Sequence, residues 1–226
     1  MTLLVSHRKR FIFVKTQKTA GTSVESFFEK YCCKDGAWTL EHYRDQEISE
    51  YGMIGGRGPG AKCDILHSHF SAEIIKSLVT PEIWESYFKF SIIRNPFDRL
   101  ISRFFFNMKK EYLGYPKGVD SSTVIRDFRL FVRAREYPII NHLLIDGKQA
   151  MDFLIRYENL HQGIRAVMDE IDINDDLSHL PSFKSNFREP AFTPAMLYDS
   201  DTISVVEEKY QTELALFNYR FEQLIQ

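Results

Sequence analysis

Cysteine is scarce, with only Cys32, Cys33 and Cys63 in 226 residues. An odd count with two adjacent members excludes a disulfide framework and has no zinc spacing, so reduced thiols are expected. Long hydrophobic runs are missing too: no segment approaches the roughly 18 apolar residues that a membrane-spanning helix needs. The N-terminal "MTLLVSHRKRFIFV" offers only Leu3, Leu4 and Val5 before a basic cluster, too little for the apolar region of a secretory signal. A cytoplasmic protein is therefore expected, with a trimmed lumenal domain of a membrane-anchored protein as the alternative. Nor does charge of one sign dominate. A formal net charge of -2 means that any anion binding must be local, and it disfavours nucleic acid as a partner. No repeat, low-complexity tract or linker divides the chain, which suits one domain over residues 1–226.

What is present is an ordinary soluble composition, 44% hydrophobic and 27% charged, with 19 phenylalanines that point to an aromatic-rich interior or a stacking site. Short apolar, β-rich runs at 11–16, 63–69, 88–94 and 152–158 read as strands. Helical signals follow at 22–30, 71–78, 81–87, 97–112, 121–136, 160–171 and 202–217. Residues 51–60, "YGMIGGRGPG", hold five glycines and a proline and read as a mobile loop. Strands alternating with helices predict an α/β fold, a three-layer αβα arrangement around a mostly parallel central sheet.

Two segments carry anion-binding chemistry. In "KTQKTAGTS" (15–23), an apolar strand runs into a Lys/Thr/Gly/Ser turn at the start of a helix. The Walker spacing G-x-x-x-x-G-K-[ST] is absent. Lys18 and the N–H groups of Thr19, Ala20, Gly21, Thr22 and Ser23 would converge on an anion at the helix N-terminus. Gly21 allows close backbone approach, and Thr22 with Glu25 fits a capping box. The same pattern also fits an ordinary strand-to-helix turn. In "RNPFDRLISRFF" (94–105), Arg94 ends a strand, Asn95-Pro96 supplies a cap and a first-turn proline, and Arg99 and Ser102 share a helix face. A guanidinium in that setting grips phosphate through two parallel hydrogen bonds, although Arg99 also suits an ion pair with a carboxylate.

A lysine-bearing K-T-A-G-T-S loop followed by R-x-P-x-x-R-x-x-S resembles the sulfotransferase superfamily. The first segment is similar to its 5'-phosphosulfate loop and the second to its 3'-phosphate motif. "RYENL" (156–160) and a C-terminal helix ending in "LFNY" extend the likeness, while residues 34–60 and 112–150 lie outside it. The resemblance implies a P-loop-like fold that binds 3'-phosphoadenosine 5'-phosphosulfate (PAPS) and releases adenosine 3',5'-bisphosphate. "HSHF" (67–70) resembles the H-x-H of the uronosyl and heparan sulfate 2-O-sulfotransferase branch, which makes His69 the implied base and His67 its support. Read from the residues alone, the pair also fits a core histidine or half of a metal site; no partners at ligand spacing accompany it, and no metal is expected. Where that branch commonly has proline before the loop lysine, this chain has Gln17.

The implied activity is sulfuryl transfer from PAPS to a hydroxyl of a carbohydrate acceptor. Lys18 would stabilise the departing nucleotide, and Arg94 and Ser102 would hold the 3'-phosphate. Lys184 or Arg188, in the polar loop 182–190, would close over the nucleotide. Glu25, Glu41 and His42 are reserve bases. Arg126, Arg129 and Arg133 form one basic stripe on a helix, suited to an anionic glycan and equally to a solvated face. A P-loop-like nucleotide kinase and a non-catalytic nucleotide- or glycan-binding module are the competing readings.

Overall fold

The computed structural model of the protein describes residues 3–62, 70–112, 119–181, 183 and 190–225. The elements begin with β1 (Leu3–Ser6), β2 (Phe11–Val14), α1 (Gly21–Phe28), β3 (Glu47–Ser49), β4 (Gly52–Ile54), α2 (Ala72–Leu78), α3 (Pro81–Ser86) and β5 (Phe88–Ile93). They continue with α4 (Pro96–Tyr112), α5 (Ser121–Ala134), β6 (Leu144–Ile145), β7 (Lys148–Gln149), β8 (Phe153–Arg156), α6 (Leu160–Glu170), α7 (Pro194–Leu197), α8 (Ser200–Lys209) and α9 (Gln211–Phe217). They fall into two compact units, one of residues 1–93 and 141–183, the other of 94–140 and 184–226. The predicted strand at 63–69 lies outside the described residues.

The first unit is built on a six-stranded sheet in the order β3-β4-β1-β2-β5-β8. The fold is α/β as expected, but the sheet is mixed rather than mostly parallel. Only the β2–β5 and β5–β8 junctions are parallel; β1–β2, β1–β4 and β3–β4 are antiparallel. For β1–β2 and β3–β4 the reason is connection length. Parallel neighbours need a crossover of a dozen or more residues, whereas a short turn forces antiparallel pairing. Residues 7–10 suffice to return β1 onto β2, with Arg10 at φ 51° and Lys9 N–H donating to Ser6 Oγ at 3.0 Å.

On β2, Phe11 and Phe13 face one side of the sheet and Ile12 and Val14 the other, and all four are fully buried. Phe11 and Phe13 join Phe90 and Ile92 of β5, Phe27 and Phe28 of α1, and Val167 and Met168 of α6 in one core cluster. The phenylalanines meet edge-on or tilted, Phe11–Phe28 at 5.5 Å and Phe28–Phe90 at 5.3 Å between centroids, the arrangement that ring quadrupoles prefer. Cys32 and Cys33 are buried free thiols. Burial pushes the Cys32 thiol far above its ordinary range, so it is a poor nucleophile.

Residues 51–60 are more ordered in composition than a mobile loop implies. They hold β4 and the buried Arg57. Gly52 is needed there because a Cβ would stand 2.2 Å from the Val5 carbonyl oxygen of the paired strand. Gly52 thus serves close backbone approach.

In the second unit, α4, α5 and α8 bury Phe97, Ile101, Phe104, Phe128, Val132 and Val206 together. Asn95 caps α4 as predicted, its Oδ1 accepting from Phe97 N–H at 3.1 Å. The predicted helix over 202–217 is two helices, α8 and α9, meeting at Tyr210. Asp199 and Thr202 form a capping box at the start of α8. Among the described residues no helix is long and apolar enough to cross a membrane.

Candidate active site

The loop leaving β2 is shaped by hydroxyls and by two residues in left-handed backbone. Thr16 donates from Oγ1 to the Ile92 carbonyl of β5, which ties the start of the loop to the neighbouring parallel strand. Thr16 Oγ1 and Thr19 Oγ1 lie 2.9 Å apart, and Thr19 is fully buried. Lys18 has φ 60° and Ala20 φ 62°. Left-handed backbone at non-glycine residues costs of order 1–3 kcal/mol each and gathers at ligand-binding turns. Alternation of this kind turns successive N–H groups toward one concavity, an anion nest.

Helix α1 starts at Gly21, one residue earlier than predicted. Its N-cap is Ala20, which offers no side-chain cap, so Thr22 is not the cap and Glu25 closes no capping box. An α-helix leaves its first N–H groups without intrahelical partners. Here the Ser23 N–H donates to the Ala20 carbonyl at 3.0 Å, and those of Gly21 and Thr22 stand at the carboxyl end of a parallel strand with no side chain of the cap residue to satisfy them. Gly21 is required: a Cβ would come within 2.7 Å of Lys15 Cγ and 3.3 Å of the Thr16 carbonyl oxygen. Ser23 Oγ accepts from Phe183 N–H at 3.1 Å, which brings one residue of the polar loop to the start of α1. Lys18 is half-buried.

Glu25, a reserve base, is instead a fully buried ion-pair partner. Its Oε2 lies 2.6 Å from Lys15 Nζ and 3.1 Å from Arg57 Nη1. Glu29, one turn on and also fully buried, pairs with Arg57 and lies 3.7 Å from Arg44 Nη1. Burial pushes the Glu29 carboxyl up, and the Arg57 hydrogen bond opposes it. Burial likewise works against the Arg57 charge, but Glu25 and Glu29 prevail and hold the guanidinium above its ordinary value. Sequence reasoning missed Lys15 and Arg57. Two carboxylates at i and i+4 on a helix otherwise rich in buried side chains are the signal that cations must come from elsewhere. Of the other reserve bases, Glu41 is exposed and accepts from Thr39 Oγ1 at 2.9 Å. The His42 ring stacks on Phe183, with centroids 4.9 Å apart and planes 19° from parallel.

In the second unit, Arg94 is 7% exposed and its Nε and Nη2 each lie 2.7 Å from Asp98 Oδ2. That contact, one helical turn along α4, fixes the guanidinium plane. Ser102 is half-buried two turns into the helix. Arg99 pairs with a carboxylate, but in the core: its Nη2 lies 2.6 Å from Glu213 Oε2 and 3.2 Å from the Tyr137 carbonyl. Arg126, Arg129 and Arg133 do share a face. They line a depression of about 510 Å³ with Ser122, Ile125, Leu130 and Asp199. Arg129 bonds the Leu197 carbonyl at 3.1 Å and Asp199 at 3.0 Å, and Arg126 pairs with Asp127. His67, His69, Lys184 and Arg188 lie outside the described residues, as does Cys63.

A profile described as the sulfotransferase family matches residues 1–220 and so spans both units. An uncharacterized protein of Archaeoglobus fulgidus is 29% identical over 112 residues, which cover 47% of this chain and 85% of that one. No solved structure matches the chain significantly. Among the described residues no group of three or more His, Cys, Asp and Glu side chains is gathered as if to hold a metal.

Proposed function

The chain belongs to the sulfotransferase family, and from that premise we propose that it transfers a sulfuryl group from PAPS to a hydroxyl of a carbohydrate acceptor. Sulfuryl transfer in general, and a hydroxyl-bearing acceptor, come with the family. The donor, the glycan and the residue roles are our reading. One observation carries it: α1 begins uncapped, behind a left-handed Lys18–Ala20 turn, at the carboxyl end of a parallel strand. Such a terminus favours an anion through the N–H groups of its first residues and its dipole.

In this reading the N–H groups from Thr19 to Thr22, with the Thr22 and Ser23 hydroxyls, hold the 5'-phosphosulfate. The Gly21 backbone supplies the close approach that a larger side chain would block. Lys18 stabilises negative charge on the bridging oxygen as the nucleotide departs. Arg94, held planar by Asp98, and Ser102 take the 3'-phosphate. Lys184, the next residue after Phe183 in the sequence, closes over the nucleotide. His69 removes the acceptor proton, and His67 supports it. Arg126, Arg129 and Arg133 bind the acidic groups of the glycan. The H-x-H pair favours the uronosyl 2-O-sulfotransferase-like branch, and a single sulfotransferase domain is part of the same reading.

The test is labelled PAPS offered to a panel of glycans and small alcohols, with and without a chelator. Transfer that survives chelation is expected. Strict magnesium dependence or turnover of ATP would replace this reading with a nucleotide kinase. Binding of adenosine 3',5'-bisphosphate with no transfer to any acceptor would leave a binding module.

A further inference from the structure

Residues 34–60 carry neither of the two anion-binding motifs, yet that segment reaches the phosphosulfate loop by two separate arms. The first arm is Arg57, 5% exposed. Its backbone pairs with Arg44 in both directions, at 2.8 and 2.7 Å. Its Nε donates to the His42 carbonyl at 2.9 Å and its Nη2 to the Glu41 carbonyl at 2.7 Å. The guanidinium, so oriented, lies between Glu25 and Glu29. Glu25 in turn holds Lys15, whose stem is the wall against Gly21. The second arm is the His42 ring stacked on Phe183, whose N–H bonds Ser23 Oγ. Both ends of the loop, Lys15 before it and Ser23 after it, are therefore anchored to one segment.

Resting on the PAPS reading above, we infer that Arg57 is a positioning residue for the phosphosulfate loop, setting the geometry of Gly21 and its neighbours through Glu25 and Lys15. Two carboxylates one turn apart on a buried helix face repel each other and need a cation between them. Glu25 Oε1 already has no hydrogen-bond partner among the described residues, and the other cation beside the pair, Arg44, lies 3.7 Å from Glu29 and reaches no oxygen of Glu25 within ion-pair distance. Only a planar fork reaches both carboxylates and two carbonyls together. Without it, Glu25 rotates toward Lys15, the Lys15 stem moves off Gly21, and the N–H groups no longer converge.

The experiment measures affinity for adenosine 3',5'-bisphosphate by calorimetry, thermal melting, and steady-state kinetics with PAPS. It uses wild type, Arg57→Met, Arg57→Lys, and the double variant Arg57→Met with Glu29→Gln. Losing one hydrogen bond to a charged group costs about tenfold or more in affinity, so Arg57→Met, which misplaces the N–H donors, is expected to weaken nucleotide binding by at least about tenfold. Arg57→Lys keeps the charge and the fold but lacks the fork. It should still bind several-fold more weakly, raising KM for PAPS while KM for the acceptor stays. The double variant relieves the carboxylate repulsion and should recover melting temperature without recovering affinity. If affinity returns along with melting temperature, or if Arg57→Lys binds as wild type does, Arg57 serves folding alone and the inference is overturned. A wild-type protein that binds no nucleotide overturns the PAPS reading itself, and this inference with it.

Discussion

Lys15 and Glu25 meet at 2.6 Å with both side chains buried, and the stem of the same lysine occupies the space that a side chain at Gly21 would need. The first turn of α1 is thus held from within by an ion pair, and the glycine of the anion loop answers to a lysine six residues earlier.

Gly21→Ala is the direct probe of that relationship. Its Cβ would lie 2.7 Å from Lys15 Cγ, and Lys15 cannot swing aside without leaving Glu25. Overpacking of this kind costs about 1–3 kcal/mol, which for a chain of this size lowers Tm by roughly 2–4 °C per kcal/mol. Calorimetry with adenosine 3',5'-bisphosphate should show weaker binding as well. Unchanged melting and unchanged affinity would contradict the packing argument.

Lys18→Ala should lower kcat by about 100-fold or more, and His69→Ala should do the same. Arg94→Ala should mainly raise KM for PAPS, because a 3'-phosphate is gripped equally in the ground and transition states. Steady-state kinetics separates the two patterns. Wild-type turnover in His69→Ala would remove that histidine as the base.

Arg99 and Glu213 form a pair that is 2% and 1% exposed, and Glu213 Oε1 also accepts the N–H groups of Ile139 and Ile140. Arg99 Nε and Nη1 have no partner among the described residues. Glu213→Ala leaves a buried guanidinium and two N–H groups unsatisfied and should cost about 3–5 kcal/mol. Arg99→Met with Glu213→Gln keeps an acceptor for the two N–H groups and should recover most of the loss. Urea titration of the single and double variants gives the coupling.

The Asp199 carboxyl is held below its ordinary value, first by the Thr202 hydroxyl and further by the Thr202 N–H and the Arg129 charge. A depressed carboxylate stabilises the fold above its unfolded pKa of about 3.9, and the benefit is lost as pH falls through the folded value. Asp199→Ala should therefore cost about 1 kcal/mol at neutral pH through the lost cap. The gap between variant and wild type should narrow below about pH 4. Denaturant unfolding across that range checks it, and a gap that widens on acidification would refute the sign.

Replacing Arg126, Arg129 and Arg133 together by Gln should raise KM for an acidic glycan and leave KM for PAPS unchanged. The effect should shrink with added salt, because exposed charges are screened within about 10 Å at 0.1 M. Equal turnover of neutral and acidic acceptors by wild type would leave the stripe without a role in binding.

Much of the architecture could be read along the chain because its signals are local. Phe11, Ile12, Phe13 and Val14 announce a buried strand by composition, and Asn95 with Pro96 marks a helix start by chemistry that acts within one turn. Boundaries failed where a local signal had a distant competitor: Thr22 with Glu25 has capping-box spacing, but Glu25 is held by Lys15 and Arg57. Periodicity carried α8 and α9 as one helix because nothing at Tyr210 breaks the pattern.

By itself the sequence determined the strand-to-helix units of β2 with α1, β5 with α4 and β8 with α6, and the aromatic core, since each rests on residues within a few positions of one another. Tertiary structure alone decided the mixed sheet, the value of a glycine-rich stretch as a strand and an arginine clamp, and the burial of Glu25 and Glu29. Those depend on which strands pair and on which distant cation reaches a buried carboxylate. Spacing along a chain says nothing of a partner 28 or 32 residues away until folding removes the water between them.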